Sequence, residues 1–204
     1  MNKDSSIAVI GLGYVGLPLA LAFVEAGIRV VGVDTNPARV KELLEGRSPI
    51  DDIDDARLRA GLSAGFTVTA PAGADLGSVD AMFVCVPTPI TQAKDPDLGP
   101  VLRAAAVVRA DLRAGQLVVL QSTTFPGTTT GKFREVLEES GLVAGRDFDL
   151  AFAPERVNPG DPQSAAKSVP RLVGATTPKA TKRAAALLRT INDHVVELSS
   201  PDAA

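Results

Sequence analysis

Hydrophobic residues follow two alternating patterns along the chain. Short apolar runs rich in β-branched residues, typical of buried strands, alternate with stretches in which apolar residues recur every three or four positions, typical of helices. The apolar runs predict strands at 7–10, 29–33, 67–69, 81–86, 117–120, 148–152, 171–173 and 195–198. The periodic stretches predict helices at 14–26, 37–45, 54–60, 98–112, 128–140 and 178–191. This alternation predicts an α/β fold with a mostly parallel sheet flanked by helices.

The residues at the ends of the predicted helices agree with these boundaries. Asn36 and Thr177 each precede a proline, which gives a polar N-cap followed by the residue best suited to the first helical position. Thr128 is a third candidate N-cap. Glycines that suit the carboxyl ends of helices are Gly27, Gly46, Gly61 and Gly141.

Residues 5–24 form an uncharged run of twenty residues, which is long enough to cross a membrane. The run contains Gly11, Gly13, Gly16 and Pro18, which interrupt an apolar helix. We therefore predict a buried strand and helix here and not a targeting or membrane segment.

The composition is that of a globular chain and removes several kinds of site. The 204 residues are 45% hydrophobic and 22% charged, with a formal charge of −3 and a pI near 5.2. These values exclude disorder and argue against a nucleic-acid partner. One cysteine cannot form an internal disulfide, so we expect a reducing, cytoplasmic location. One cysteine with one histidine cannot form a Cys/His zinc cluster, so we expect no metal, and we also expect no membrane partner.

A glycine-rich turn joins the first predicted strand to the first predicted helix. Residues 11–16 read Gly-Leu-Gly-Tyr-Val-Gly, and the second predicted strand ends on Asp34, eighteen residues beyond Gly16. In Rossmann-like, doubly wound folds such a turn lies beneath a pyrophosphate, and a carboxylate at this distance binds the adenosine ribose. Because a carboxylate repels a 2′-phosphate, Asp34 favours NAD over NADP. Arg39 lies one helical turn further on and is expected to pack on the adenine side.

The catalytic groups of several other enzyme classes do not occur. The only tyrosine, Tyr14, lies in the glycine turn, so the Tyr-x-x-x-Lys pair of short-chain reductases is absent. The only histidine, His194, borders an apolar strand near the end of the chain, where we expect a structural role. Ser122 lacks the Gly-x-Ser-x-Gly context of hydrolases. Cys85 lies within an apolar strand and is expected to be inert packing.

Further motifs follow the fourth, fifth and sixth predicted strands. They are Val-Pro-Thr-Pro at 86–89, Gln-Ser-Thr-Thr-Phe-Pro-Gly-Thr-Thr at 121–129, and Ala-Pro-Glu-Arg-Val-Asn-Pro-Gly at 153–160. With Gly-Leu-Gly-Tyr-Val-Gly-Leu-Pro at 11–18 and Pro-Asp-Leu at 96–98, the chain resembles the nucleotide-sugar 6-dehydrogenases of the UDP-glucose/GDP-mannose dehydrogenase family over essentially its whole length. The sequences of the motifs at 121–129 and 153–160 are most similar to those of the UDP-N-acetylglucosamine and UDP-N-acetylmannosamine 6-dehydrogenases.

The resemblance implies a substrate, a cofactor and a set of site residues. It implies an enzyme that uses two NAD to oxidise the C6 alcohol of a UDP-sugar to a carboxylate. The UDP-sugar that it favours is a UDP-N-acetylhexosamine. It implies catalytic roles for Thr123 and for Glu155, which would order a water or the substrate. The glycine turn, Asp34 and the further motifs together give the expected cofactor contacts. They are Gly11, Gly13, Tyr14, Val15, Gly16, Asp34, Arg39, Val86, Pro87, Thr88, Ser122 and Thr123.

The sites at the strand ends are expected to converge. Gly11, Thr88, Ser122 and Glu155 follow the first, fourth, fifth and sixth predicted strands. In the usual strand order of a doubly wound sheet, 3-2-1-4-5-6, these strands are neighbours. We therefore expect all four residues to line one crevice at the carboxyl edge of the sheet.

The 204 residues also depart from the family pattern. The family's nucleophile, a cysteine in a Gly-Gly-Ser-Cys segment, and its helper lysine and asparagine on a central helix have no counterpart here. We predict an NAD-binding domain at 1–198 and, at 199–204, the start of a connection to that helix and a UDP-binding domain. Because the catalytic cysteine has no counterpart here, this chain alone is expected to be inactive. Because the family dimerises largely through the central helix, the chain alone is also expected to be monomeric or weakly associated. The alternative is a stand-alone dinucleotide-binding or regulatory module without catalysis.

Overall fold

The described part of the chain forms one eight-stranded sheet. The computed structural model describes residues 5–90, 96–155 and 169–204. The strands lie in the order β3-β2-β1-β4-β5-β6-β7-β8, and only the β6–β7 pair within these residues is antiparallel. Their bounds are β1 Ser6–Ile10, β2 Arg29–Val33, β3 Thr67–Thr69, β4 Ala81–Val84, β5 Leu117–Leu120, β6 Asp149–Phe152, β7 Arg171–Ala175 and β8 Val195–Leu198. The predicted α/β class, with a mostly parallel sheet, is confirmed.

Helices cover both faces of the sheet. Their bounds are α1 Gly16–Glu25, α2 Pro37–Leu44, α3 Asp55–Ser63, α4 Gly99–Asp111, α5 Arg134–Glu138 and α6 Pro178–Leu188. Along β1, Ile7 and Val9 pack into the core beneath α1 and α6, whereas Ala8 and Ile10 pack into the core beneath α4 and α5. This alternation of fully buried side chains is the doubly wound arrangement that the sequence predicts.

The uncharged run folds as a strand, a turn and a helix. It supplies β1, the glycine turn and α1, and most of its apolar side chains are buried against the sheet. Among the residues that the structure describes, no helix is both long and apolar enough to span a membrane.

Two of the predicted N-caps are confirmed and one is wrong. The Asn36 side chain accepts hydrogen bonds from the N–H groups of Ala38 and Arg39, and Thr177 accepts one from Ala180. The Thr128 hydroxyl instead donates to a carbonyl of its own loop. The reason is that the chain already has helical dihedral angles at Thr128, which begins a wide turn, Thr129–Phe133, that leads into α5.

The predicted helix stop at Gly61 is also wrong. Gly61 lies inside α3, where a side chain would meet Leu21 of α1 at 2.5 Å, so this glycine permits close helix packing. The left-handed residue after α3 is Gly65, with φ of 101°. The sequence shows a glycine in both cases, so residue type alone does not distinguish a glycine that ends a helix from one that allows two helices to pack closely. Only the tertiary contact distinguishes them.

The last residues of the chain pack against the sheet. Residues 199–204 include a short 3₁₀ turn, Pro201–Ala203, in which Pro201 is buried. The Asp202 carboxylate accepts a hydrogen bond from the Gly127 N–H at 2.9 Å. A side chain at Gly174 of β7 would lie 1.9 Å from the carbonyl oxygen of Ser200. The segment predicted to begin a connection is therefore docked on the domain.

Arg183 of α6 joins three strands at the amino edge of the sheet. Its guanidinium donates to the carbonyls of Gly115 and Asp80 at 2.7 and 3.1 Å and pairs with Asp149 at 2.9 Å. We expect Arg183→Met to lower the free energy of unfolding by about 2–3 kcal/mol, because it removes charge-assisted bonds from partly buried groups.

Urea denaturation measures this effect. Arg146→Met is the matched control, because Arg146 is highly exposed and its ion pair is with its neighbour Asp147. The control should leave the free energy of unfolding unchanged. Equal midpoints for both variants would contradict the assigned role of Arg183.

Candidate functional site

A crevice of about 740 Å³ runs along the carboxyl edge of the sheet. It lies over β1 and β4, where the strand order reverses and where open α/β sheets bind their ligands. Its volume is within the range of small-molecule sites. The sequence-predicted site residues that line it are Gly11, Gly13, Tyr14, Val15, Asp34, Arg39, Val86, Pro87, Thr88, Ser122, Thr123 and Glu155. The structure thus brings these residues together, while Gly16 lies just beneath them.

The glycine turn is tightly built on the first two strands. Gly11 has φ of 91° and donates its N–H to the Val33 carbonyl at 2.8 Å. A Cβ atom on Gly16 would lie 1.8 Å from the Gly11 carbonyl oxygen, so a side chain there would force the start of α1 away from β1. Both positions therefore require glycine for backbone reasons.

Gly13, the middle glycine of the turn, has open space around it. A Cβ atom on Gly13 would have no other atom within 4 Å, yet Gly13 lines the crevice. The absence of a side chain therefore leaves open space at the amino end of α1, whose N-cap residue Val15 makes no side-chain cap. Space beside uncapped helical N–H groups is what a pyrophosphate needs, so this turn fits a dinucleotide.

Asp34 lies at the end of β2 and is only 6% exposed. Its Oδ2 accepts a hydrogen bond from the Leu12 N–H at 2.9 Å, and its Oδ1 accepts one from the Asn36 N–H at 2.8 Å. These bonds link the carboxylate to the glycine turn and fix its direction. A carboxylate has about four acceptor positions, so a ribose hydroxyl can still donate to it.

Arg39 pairs with Asp34 across the floor of the crevice. Its Nη1 lies 3.3 Å from Oδ2 of Asp34, and its Nε is buried without a hydrogen-bond partner among the described residues. Because the pair is close to neutral, Arg39 offers little net positive charge for a 2′-phosphate. The predicted packing of Arg39 against adenine stays a prediction.

Ser122 braces two of the loops that line the crevice. Its hydroxyl donates to the Val86 carbonyl at 2.7 Å, and its backbone N–H donates to Val84 at 3.2 Å. The loop after β5 thereby fixes the loop after β4, which carries Thr88. Thr123 is exposed at the same end of the crevice.

Glu155 follows β6 and lies at the same end, with a side chain 11% exposed. Its Oε2 lies 3.0 Å from Nη1 of Arg171 and 3.2 Å from Nε2 of Gln121. The remainder of its motif, residues 156–160, lies outside the described residues. Glu155 is therefore an enclosed, paired carboxylate and not a solvated loop residue.

Cys85 is confirmed as a buried thiol. It is 6% exposed and directly follows β4, which ends at Val84, so it is not within the strand as the sequence predicts; its Sγ lies 3.8 Å from Oε1 of Gln121. Burial raises the pKa of the Cys85 thiol far above its ordinary value, and the negative charge of Glu155 raises it further, while Arg171 lowers it. The group stays protonated at physiological pH and is a poor nucleophile.

Several residues that line the crevice belong to none of the sequence motifs. Pro100, Arg103, Ala104 and Val107 form one stripe of α4 that faces the crevice, and Pro71, which follows β3, also lines it. The i, i+3, i+4, i+7 spacing of that stripe is visible in the sequence, but it equally describes an ordinary core-facing helix. The lone histidine is exposed and is not among the lining residues.

The comparisons with known proteins agree with this geometry. Residues 5–192 match the model of the UDP-glucose/GDP-mannose dehydrogenase family, NAD binding domain. The UDP-N-acetyl-D-glucosamine 6-dehydrogenase of Pseudomonas aeruginosa is 38% identical over 93% of this chain and 44% of its own length. The solved structure of the UDP-D-ManNAc dehydrogenase of Pyrococcus horikoshii superposes with a TM-score of 0.88 and 36% identity, over 97% of this chain and 48% of that one.

A more distant structure shares the same fold. The GDP-mannose dehydrogenase of Pseudomonas aeruginosa superposes with a TM-score of 0.85 and 25% identity, over 96% of this chain and 46% of that one. The chain thus spans a little under half the length of the relatives that it matches.

Proposed function

Because the chain belongs to the UDP-glucose/GDP-mannose dehydrogenase family, as its NAD-binding domain, we propose that it is the cofactor half of a nucleotide-sugar 6-dehydrogenase. The enzyme would oxidise the C6 alcohol of a UDP-N-acetylhexosamine to a carboxylate with two NAD. One observation carries the proposal: the glycine turn, the Asp34 carboxylate and the polar residues that follow β5 and β6 line a single crevice. Identities of 34–38% to enzymes named for UDP-N-acetylglucosamine and UDP-N-acetylmannosamine favour those sugars.

The residues of the glycine turn and β2 hold the cofactor at one end of the crevice. The N–H groups at the start of α1 bind the pyrophosphate, and Gly13 leaves room for it. Asp34 accepts a hydrogen bond from the adenosine ribose and disfavours a 2′-phosphate. When bound, NAD would supply the hydride acceptor for the oxidation. Thr123 and Glu155 lie at the other end of the crevice, after β5 and β6.

Thr123 and Glu155 bind and orient the sugar through hydrogen bonds. The Thr123 hydroxyl is exposed at the crevice and can donate or accept a hydrogen bond. The Glu155 carboxylate accepts hydrogen bonds from a sugar hydroxyl or from a water and so orients that group. The Cys85 thiol takes no part in the chemistry, because it is enclosed and protonated. The nucleophile that the family requires is therefore expected from residues beyond these 204.

The proposal extends to assembly and location. We expect the complete enzyme to be a dimer in the cytoplasm, where its nucleotide substrates are found. A stand-alone dinucleotide-binding or regulatory module is the second candidate, favoured by the burial of the one cysteine in the sequence.

The 204-residue chain alone is expected to give no NADH. Incubated with NAD and UDP-N-acetylglucosamine, UDP-N-acetylmannosamine or UDP-glucose, it should show no rise in absorbance at 340 nm above a protein-free control. The physical reason is that the lysine, the asparagine and the UDP-binding domain that the family resemblance implies for binding and oxidising the sugar have no counterpart in these residues. No reactive thiol is available to hold the aldehyde for the second hydride transfer either. Sustained NADH formation that disappears in Cys85→Ser would contradict the structural role of Cys85.

The full-length product of the gene that encodes this chain decides between the two candidates. The proposal predicts two NADH per UDP-N-acetylhexosamine and an acidic sugar product by mass spectrometry. A full-length product that binds NAD but oxidises none of the three UDP-sugars would overturn the enzymatic proposal and favour the regulatory module.

A further inference from the structure

Arg171 is a buried cation at the edge of the crevice that no sequence motif identifies. It is the first residue of β7 and is 8% exposed, with Nη1 3.0 Å from Oε2 of Glu155. An enclosed ion pair adds little stability, because the desolvation of two charges offsets their attraction. The Nε atom of Arg171 also lacks a hydrogen-bond partner within the described residues, which is a further cost. The pair therefore needs an explanation other than stability.

The reversal of one strand brings the two residues together. β7 runs antiparallel to β6, so its first residue lies at the carboxyl edge of β6, where Glu155 follows. In a parallel β7, the same residue would lie at the opposite edge of the sheet. The antiparallel strand thus delivers a cation to the ligand-binding edge.

A second donor converges on the same carboxylate oxygen. Nε2 of Gln121 lies 3.2 Å from Oε2 of Glu155, and Gln121 is fully buried after β5. Because a carboxylate only accepts hydrogen bonds, the amide nitrogen must face it, and the amide oxygen faces the Cys85 thiol. Glu155 is therefore held from both neighbouring strands.

We propose that Arg171 is a positioning residue: together with Gln121, it fixes the Glu155 carboxylate in the orientation that serves the sugar end of the crevice. A glutamate side chain has several rotamers of similar energy, and two enclosed donors on one oxygen select one of them. This inference rests on the proposed function, because the role of Glu155 comes from it.

The orientation of Glu155 can be measured in the chain without any reaction. We expect Arg171→Met to shift the carboxyl ¹³C resonance of Glu155 and to average its χ1 couplings, as for a mobile side chain. Arg171→Lys retains the charge and should retain most of the order. Arg183→Met is the control, because Arg183 also pairs with a carboxylate of β6 but at the opposite edge of the sheet. An unchanged Glu155 resonance and χ1 couplings in Arg171→Met would overturn the proposal.

A double-mutant cycle in the full-length enzyme tests whether Arg171 acts through Glu155. Arg171→Met should lower kcat about tenfold or more while leaving the KM for NAD within about twofold, as a misplaced catalytic group would. Arg171→Lys should restore part of the loss. In a Glu155→Gln background, Arg171→Met should cause no further loss. An equal loss in both backgrounds would contradict a role through Glu155.

The two readouts separate failure of this inference from failure of the proposed function. If the full-length protein oxidises no UDP-sugar, the proposed function fails and the inference falls with it. If it does oxidise a UDP-sugar and Glu155 stays ordered without Arg171, only the inference fails.

Discussion

Replacing Gly13 by alanine is expected to weaken NAD binding by roughly 100-fold, or about 2.7 kcal/mol, while the protein stays folded. The added methyl group has no other residue within 4 Å apart from its chain neighbours, so no neighbouring atom has to move to accommodate it. It instead occupies the space beside the N–H groups at the start of α1, where the pyrophosphate is expected. Calorimetric titration with NAD measures the binding, and urea denaturation measures the free energy of unfolding.

Gly16→Ala provides the contrasting result. Its methyl group would lie 1.8 Å from the Gly11 carbonyl oxygen, so the turn or the helix must shift. We expect this variant to lose both NAD binding and stability, whereas Gly13→Ala loses binding alone. Wild-type affinity in a folded Gly13→Ala protein would mean that the pyrophosphate does not lie over this turn.

Asp34→Ala is the second variant with a large expected effect. The loss of a charge-assisted bond to the ribose should weaken NAD binding by about 1.5–3 kcal/mol. The variant also removes the acceptor for the Leu12 and Asn36 N–H groups and leaves Arg39 without its ion pair, so stability should fall as well. Asp34→Asn keeps an oxygen acceptor and should recover part of the stability.

The specificity of the Asp34 variants separates its two roles. With the negative charge removed and Arg39 still present, NADP should bind relatively better than it does to the wild type. Asp54→Ala is the matched control, since the exposed Asp54 carboxylate caps α3 and is not among the residues that line the crevice. It should cost about 1 kcal/mol of stability and leave both affinities unchanged. An unaltered NAD to NADP ratio in Asp34→Asn would contradict the assignment.

The features that the sequence predicts correctly are those with local signals. The glycine turn and the caps at Asn36 and Thr177 depend on residues within a few positions of each other, so residue type and spacing are sufficient. The alternation of strands and helices follows from burial on one face or two, which the apolar pattern records directly. The convergence of Gly11, Thr88, Ser122 and Glu155 on one crevice follows from strand order alone.

What the sequence misses depends on contacts between distant segments. Arg171 reaches Glu155 only because β7 is antiparallel, and nothing in the residues of β7 records its direction. Gly61 resembles a helix stop, but its purpose is contact with α1. The hydroxyl of Ser122 is identified as a site group by its motif, yet its bond to the Val86 carbonyl shows that it also fixes a neighbouring loop.

A calorimetric titration of the 204-residue chain with NAD and with NADP under identical conditions tests the NAD site most directly. We expect saturable binding of NAD at one site per chain and binding of NADP that is at least about tenfold weaker, because the enclosed Asp34 carboxylate accepts from a ribose hydroxyl and repels a 2′-phosphate. Equal affinities, a preference for NADP, or no binding of either dinucleotide would contradict the NAD site.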